Sequence, residues 1–147
     1  MKIVIDTDVF LSSLFSKQGA SHKLITWIAK EYQKNEKRYN VISNTQVIEF
    51  SAVFTRDKNL QRANLTKSDV ESFINAICLI SSHQKINFLW RPFLKDKDDD
   101  MVLEVAFNGN ADYIITHNLK DFKGVEENFE IKVLTPKEFL INIGELQ

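Results

Sequence analysis

Acidic side chains stand in this chain where strands are expected to end. The apolar run at residues 3–5 leads directly into Asp6 and Asp8, and a second acidic group at residues 98–100 opens an apolar helical pattern. In an open parallel sheet, ligands bind beyond the carboxyl ends of the strands, so carboxylates that are distant in sequence can converge there. Hard divalent cations such as Mg2+ and Mn2+ prefer oxygen ligands of this kind. The arrangement therefore indicates a metal site.

Three acids form the centre of this hypothesis. Asp6 ends the first strand, Glu49 lies in the first turns of the helix after the second strand, and Asp99 starts a later helix. All three can face one crevice. The chemistry suited to such a site is phosphodiester hydrolysis, in which a cation lowers the pKa of an attacking water and stabilises charge on the leaving oxygen.

No other side chain offers a competing nucleophile. His22, His83 and His117 lack the spacing of metal ligands or of a catalytic triad. Cys78 lies in an apolar helical stretch, where a buried and unreactive thiol is expected. The acids thus remain the candidates for chemistry.

Each acid also has a structural explanation. Asp6 can bind the amides of a turn, and Glu49 can occupy the polar side of its helix. Any one of the aspartates at positions 96, 98, 99 and 100 can be a helix cap or a favourable charge at a helix N-terminus. Their crowding favours a site, because a protein tolerates packed like charges most readily when a cation neutralises them.

The elements that must position these acids alternate along the chain. Strands are expected at residues 2–5, 39–42, 86–90, 113–115 and 131–134. Helical periodicity is expected at residues 9–14 and from Asp99, and helix start signals stand at Ser21, Ser43, Thr66 and Thr135. Such alternation predicts an α/β fold, a three-layer sandwich with a central, mainly parallel sheet, over a single domain at residues 1–147.

Composition limits the classes of partner. The chain has 147 residues, an apolar content of 44% and a formal charge of −1, which fits one domain with a core but excludes a globally basic nucleic-acid coat. A nucleic acid would have to bind local basic patches. The alternative explanation of these basic side chains is that they form the solvated faces of surface helices. The candidates are Lys30, Lys34, Lys37, Arg38, Arg56, Lys58, Arg62 and Lys67.

The same sequence gives no sign of export or of a membrane anchor. The first residues form a strand pattern and lack the features of a signal peptide, and no apolar run approaches the length of a membrane span. We therefore expect a cytoplasmic protein without membrane association.

Four motifs, in order, carry a resemblance to a known family. They are VIDTDVFLSSLF, SNTQVIEFSAVF, DKDDDMVLEVAFNGNADYIITHNLKDF and IKVLTPKEFL. Together they resemble the PIN-domain family, small metal-dependent nucleases that include the toxin halves of many bacterial and archaeal toxin–antitoxin pairs. The third motif is the most specific, with Asp99 at the helix start, Ala106 within that helix and Thr116 after the next strand.

The resemblance implies a site and its partners. Mg2+ or Mn2+ would be held by Asp6, Glu49 and Asp99, assisted by Asp8 or by Asn118 and Asp121. Thr7, Ser43 and Thr116 would orient these ligands or a phosphate. The substrate would be RNA, and the chain would be a toxin that forms a homodimer and is silenced by an antitoxin protein.

Two positions depart from the family pattern. Asp8 replaces a common asparagine, and Asn118 stands where a fourth acid is frequent. Asparagine coordinates through its carbonyl oxygen but brings no charge, so a PIN-like RNA- or protein-binding module with weakened catalysis is an alternative. The run Asp6-Thr7-Asp8 also resembles haloacid-dehalogenase-like phosphatases, but acids that precede Thr116 are the wrong order for that family.

Overall fold

A five-stranded, entirely parallel sheet forms the middle of the structure, a computed structural model that describes residues 1–146. The strands are β1 (Ile3–Ile5), β2 (Asn40–Ile42), β3 (Ser81–His83), β4 (Tyr113–Ile115) and β5 (Lys132–Leu134). Their order across the sheet is β3-β2-β1-β4-β5. The predicted α/β fold is confirmed.

Eight α-helices within residues 1–146 cover the two faces of this sheet. They are α1 (Thr7–Phe15), α2 (Ala20–Asn35), α3 (Asn44–Phe54), α4 (Asp57–Ala63), α5 (Lys67–Ile80), α6 (Lys97–Asn108), α7 (Val125–Phe129) and α8 (Pro136–Asn142), and a 3-10 turn spans Leu119–Phe122. Of the helices in residues 1–146, none is both long and apolar enough to cross a membrane.

The alternation of side chains along the strands divides the core in two. Ile3 and Ile5 pack with buried residues of α1, α2, α3, α5 and α8, whereas Val4 packs on the other face with α6 and α7. Because both faces of the sheet are covered, the central strands β1, β2 and β4 are apolar at every buried position except Asn40. These layers leave the carboxyl ends of the strands as the place for a crevice.

The helix starts follow the sequence closely, with two corrections. Capping boxes form at Ser43, Thr66 and Thr135, as predicted. Ser21 is not a cap, because Gly19 occupies that position and Ser21 is buried in the first turn of α2. The helix expected from Asp99 begins at Lys97, because the Asp96 carboxylate caps it by accepting from the N–H of residue 98.

The strand expected at residues 86–90 is wrong. The strand that pairs with the outer side of β2 is the polar segment β3, which follows α5 without a loop. Its position at the sheet edge does not require apolar side chains on both faces, and the buried Asn40 side chain donates to the Ser81 hydroxyl. The apolar residues at 86–90 belong instead to an irregular segment with exposed aromatic rings.

That irregular segment, residues 87–94, is called the strap below. Asp100, Glu104 and Asn108 of α6 accept hydrogen bonds from the backbone N–H groups at positions 87, 88, 90, 93 and 94. The Arg91 guanidinium also donates twice to the Glu104 carboxylate, at 2.6 and 2.9 Å. Since these three acceptors stand four residues apart on one helix face, the strap is bound along the length of α6.

Candidate active site

The candidate site lies where the strand order reverses direction. β3 and β2 lie on one side of β1, and β4 and β5 lie on the other. At such a switch point the connections leave in opposite directions and open a crevice beyond the carboxyl ends of the strands. Asp6 follows β1 directly and Thr116 follows β4, so both enter this crevice.

Asp6 is the most deeply held acid of the site. Only 8% of its surface is exposed. One carboxylate oxygen accepts from the Thr7 N–H at 2.8 Å, and the other accepts from the buried Thr116 hydroxyl at 2.8 Å. Burial, and then the charges of Asp8 and Asp99, raise the pKa of Asp6 to about 8. Asp6 is thus fixed in direction but costly to ionise alone.

Asp8 shares the crevice and has one oxygen without a hydrogen bond. Its Oδ2 accepts from the Asn118 side-chain N–H at 2.9 Å and from the His117 backbone N–H at 3.3 Å. Its Oδ1 is buried and has no partner within the described residues. Burial is the main cause that raises the pKa of Asp8. A buried carboxylate oxygen without a partner is unfavourable unless a proton or a cation meets it.

Glu49 reaches the crevice from α3. Its Oε2 accepts from the Thr7 hydroxyl at 2.8 Å, so two residues of separate motifs are joined at the site. Burial first, and then the charges of Asp98 and Asp96, raise the pKa of Glu49. Glu49 therefore lies toward the N-terminus of α6.

Asp99 and Asp121 complete the acidic rim. Burial, and then the charges of Asp96, Asp121, Asp98 and Asp8, raise the pKa of Asp99 to about 7. Asp121 is exposed in the 3-10 turn, and its charge also raises the pKa of Asp8. The structure thus brings these residues into one electrostatic neighbourhood.

Two residues near the predicted site have other contacts. The Ser43 hydroxyl accepts from the Gln46 N–H at 3.2 Å and is engaged in the start of α3. Asp100 is buried and holds the strap, so its carboxylate does not join the rim. Only part of the dense acidic run therefore faces the crevice.

Comparison with known proteins agrees with this geometry. A family model described as a PIN domain matches residues 2–120, well over half of the chain. The chain belongs to the PIN-domain family. PIN domains are generally metal-dependent nucleases. An uncharacterized protein of Methanocaldococcus jannaschii is 28% identical over 149 aligned positions, which cover 95% of this chain and 90% of that relative.

The carboxylates of this PIN domain fit a hard divalent cation in their chemistry. All the donors are oxygens, the pKa values of Asp6, Asp8, Glu49 and Asp99 are all raised, and Asp8 Oδ1 has no partner. Within residues 1–146, however, no three acidic, histidine or cysteine side chains are already grouped closely enough to hold one ion. Binding therefore requires some carboxylates to turn toward a shared point.

Two residues beside this PIN domain's site were not predicted to belong to it, because the spacing of His117 did not indicate a ligand and Ser21 was expected to cap a helix. His117 Nε2 and the Ser21 hydroxyl lie 2.8 Å apart, and the His117 charge favours the ionised form of Asp8. The turn after β4 was visible in the sequence, but nothing in the spacing linked it to Ser21, 96 residues earlier. Cys78 is partly buried, and burial raises the pKa of its thiol, which fits an unreactive side chain.

Proposed function

We propose that this PIN domain is an endoribonuclease that hydrolyses RNA phosphodiester bonds with Mg2+ or Mn2+. The observation that carries the proposal is the crowding of Asp6, Asp8 and Asp99 at the sheet's switch point, where the charges of Asp8 and Asp99 raise the pKa of Asp6 and the charge of Asp8 also raises the pKa of Asp99. Carboxylates gathered in this way bind a cation more readily than they ionise alone. The family match supports nuclease chemistry and not that of a haloacid-dehalogenase-like phosphatase.

The residues that would hold the ion are the acids of the rim. Asp6, Glu49 and Asp99 are the main ligands of this proposal, with Asp8 and Asp121 beside them. When bound, Mg2+ or Mn2+ supplies positive charge that acidifies an attacking water and stabilises the charge on the leaving oxygen.

The surrounding hydrogen bonds give each acid a task. The Thr7 N–H and the Thr116 hydroxyl aim the two oxygens of Asp6, and the Thr7 hydroxyl aims Glu49. No activated serine, cysteine or histidine nucleophile is evident among the described residues of the crevice. Water therefore attacks phosphorus in line, without a covalent intermediate.

Asn118 acts in this proposal as a support for Asp8. Its side-chain N–H donates to the Asp8 carboxylate at 2.9 Å. A flipped Asn118 amide would instead place its carbonyl oxygen against the Asp8 carboxylate oxygen, which is unfavourable. Asn118 brings no negative charge to the site, where the family pattern frequently has an acid. This difference favours a second candidate function, an RNA- or protein-binding module with weakened catalysis. The exposed Asp121 lies close enough to raise the pKa of both Asp8 and Asp99, and so restores an acid to this side of the rim.

The biological role we propose is that of a toxin in a type II toxin–antitoxin pair. An antitoxin would silence the chain by placing a basic or amide side chain in the acidic crevice, and a homodimer would extend the path for RNA. Expression of the active chain without growth inhibition would argue against a toxin. A monomer by light scattering at high concentration would argue against the dimer.

The activity is tested with the purified full-length chain and a labelled single-stranded RNA. Cleavage should appear with Mg2+ or Mn2+, stop in excess chelator and return when the metal is restored. RNA binding without cleavage under any metal condition would support the binding module. Undiminished cleavage in chelator would reject the metal-dependent mechanism and point to a contaminating nuclease.

A further inference from the structure

Aromatic rings on the strap are exposed along α6. The exposed fraction is 63% for Phe88, 36% for Trp90 and 39% for Phe93. Trp90 and Phe93 both pack edge-to-face against Phe129, with ring centroids 5.1 and 5.0 Å apart. Edge-to-face packing holds these rings while leaving other parts of them open to solvent.

One end of this aromatic surface opens into a basic cavity. The cavity has a volume of about 620 Å3 and is lined by Phe93, Leu94, Lys95, Lys120, Asp121 and Lys123. Its size falls in the range of about 300–1,000 Å3 that is usual for ligand sites. The three lysines bring positive charge to a chain whose formal charge is −1.

The cavity lies next to the proposed active site. Asp121 lines the cavity, and its backbone N–H donates to the carbonyl of Asn118 at 3.0 Å, while the Asn118 side chain donates to Asp8 in the crevice at 2.9 Å. Lys120 and Lys123 flank Asp121 in the 3-10 turn and its exit. A nucleic-acid strand that leaves the crevice on this side therefore contacts Lys120 or Lys123 and then the ring of Phe93.

Both walls of the cavity are held in place. Asp100 accepts from the backbone N–H groups of Phe93 and Leu94 at 3.2 and 2.7 Å, which fixes the strap. Gly124 follows Lys123 with a φ of 94°, in the left-handed region that favours glycine. A Cβ atom at position 124 would lie 3.7 Å from the Phe93 ring, so the segment at Gly124 and the strap lie close together.

From this placement we propose that the cavity is a subsite for one unpaired nucleotide of the RNA that flanks the scissile phosphate. Phe93 stacks on the base, and Lys95, Lys120 and Lys123 contact the backbone phosphates. The substrate class rests on the proposed function. The subsite requires single-stranded RNA, because the bases of a duplex have no free face to stack on Phe93.

Charge favours RNA over a protein at this end of the surface. Lysines and an open aromatic face are the combination that binds single-stranded nucleic acid without sequence preference. At the other end of the strap, Phe88 packs against Phe107 and does not line the cavity. Phe88 and Leu89 therefore lie outside the subsite.

Binding is measured separately from cleavage. The full-length Asp6→Asn chain, which is expected not to cleave, is titrated against a fluorescein-labelled octa-adenylate RNA and against an RNA duplex in Mg2+ buffer. Phe93→Ala and Phe93→Leu should each weaken binding of the single strand by about fivefold or more, because leucine keeps apolar bulk but has no π face. Leu89→Ala, at a more exposed apolar site on the same strap, is the matched control.

The lysines give an independent measurement. Lys120→Ala and Lys123→Ala should each reduce the slope of log Kd against log salt by about 0.7, the value for one contact to a single strand. Lys2→Ala, an exposed lysine at the amino end of β1 and so at the opposite edge of the sheet, should leave that slope unchanged. Melting curves confirm that each variant is folded.

The outcomes separate this subsite from the nuclease proposal. Unchanged affinity in both Phe93 variants, or an equal loss in Leu89→Ala, would overturn the subsite. Cleavage by the wild-type chain would leave the nuclease proposal standing in that case. Phe93-dependent binding in a wild-type chain that never cleaves would support the subsite and reject the nuclease.

Discussion

The Thr116 hydroxyl donates a 2.8 Å hydrogen bond to the Asp6 carboxylate across 110 residues of sequence. The two residues meet because β1 and β4 are adjacent and in register, with Ile5 opposite Ile115. Each then occupies the first position beyond its strand. Two buried strand ends thus build the centre of the acidic crevice.

We predict that Thr116→Val weakens both the fold and the site. The change leaves Asp6 Oδ2 and the Asn118 N–H without this partner, which should cost about 1–3 kcal/mol of unfolding free energy. It also removes a hydrogen bond that lowers the pKa of Asp6. The pH profile of cleavage should therefore shift to higher pH.

Chemical denaturation and pH–rate profiles measure these two effects. Thr116→Ser should restore both, since serine keeps the hydroxyl. Thr26→Val, in α2, is a control for the loss of a threonine elsewhere. A Thr116→Val variant with wild-type stability and pH profile would show that this contact does not organise the site.

We predict that the metal-free protein loses stability as pH rises. The pKa values of Asp6 and Asp99, about 8 and about 7 in the fold, lie above the ordinary value of 3.8. A group with a raised folded-state pKa contributes stability that is complete below the unfolded pKa and is lost as pH passes the folded one. The unfolding free energy should therefore decline from about pH 4 to about pH 8.

Saturating Mg2+ should oppose that decline, because it binds the ionised acids and not the protonated ones. Its effect on Tm should grow from about pH 5.5 to about pH 8.5. Asp6→Asn should flatten the pH dependence of the metal-free protein. Stability that increases with pH over this interval would contradict the proposed environment of the acids.

We predict that Asn118→Asp lowers the metal concentration needed for half-maximal cleavage. The substitution replaces an amide that donates to Asp8 with a carboxylate, so it adds a charged ligand and introduces repulsion in the metal-free state. Tm without metal should fall and the Mg2+-induced increase should be larger. If Asp121 already fills this role, Asp121→Asn should be the damaging change.

Magnesium titrations of cleavage at fixed RNA concentration compare the two variants with the wild type. Asp57→Asn, an exposed change in α4, is the matched control. If neither Asn118→Asp nor Asp121→Asn moves the metal curve, this side of the rim does not contact the ion.

Local signals in the sequence predicted much of the fold. Ser43, Thr66 and Thr135 start helices as their spacing to Gln46, Asp69 and Glu138 indicates. The sequence does not predict β3 because its residues are polar. At the edge of the sheet, backbone pairing with β2 is sufficient to form this strand without apolar side chains. The sequence predicts a strand at residues 86–90 because most of these residues are apolar. In the structure the rings of this segment are exposed at the surface and are not part of a sheet.

The site was less predictable because its contacts are non-local. Placing Asp6 and Thr116 at strand ends was within reach of the sequence, but their hydrogen bond depends on which strands are neighbours. Asp99 and Asp100 are adjacent and identical in type, yet Asp99 joins the acidic rim while Asp100 binds the strap. That division follows from the rotation of α6 against the sheet, which the acidic run does not encode by itself.

The nuclease proposal is tested most directly by single-turnover cleavage of a labelled single-stranded RNA in Mg2+ by wild type, Asp6→Asn and Asp57→Asn. Asp6→Asn keeps the shape of the side chain and removes its charge, so the fold should persist while the cleavage rate falls by about a hundredfold or more. Asp57→Asn should cleave at the wild-type rate. Cleavage by folded Asp6→Asn at the wild-type rate would contradict a metal-dependent nuclease centred on Asp6.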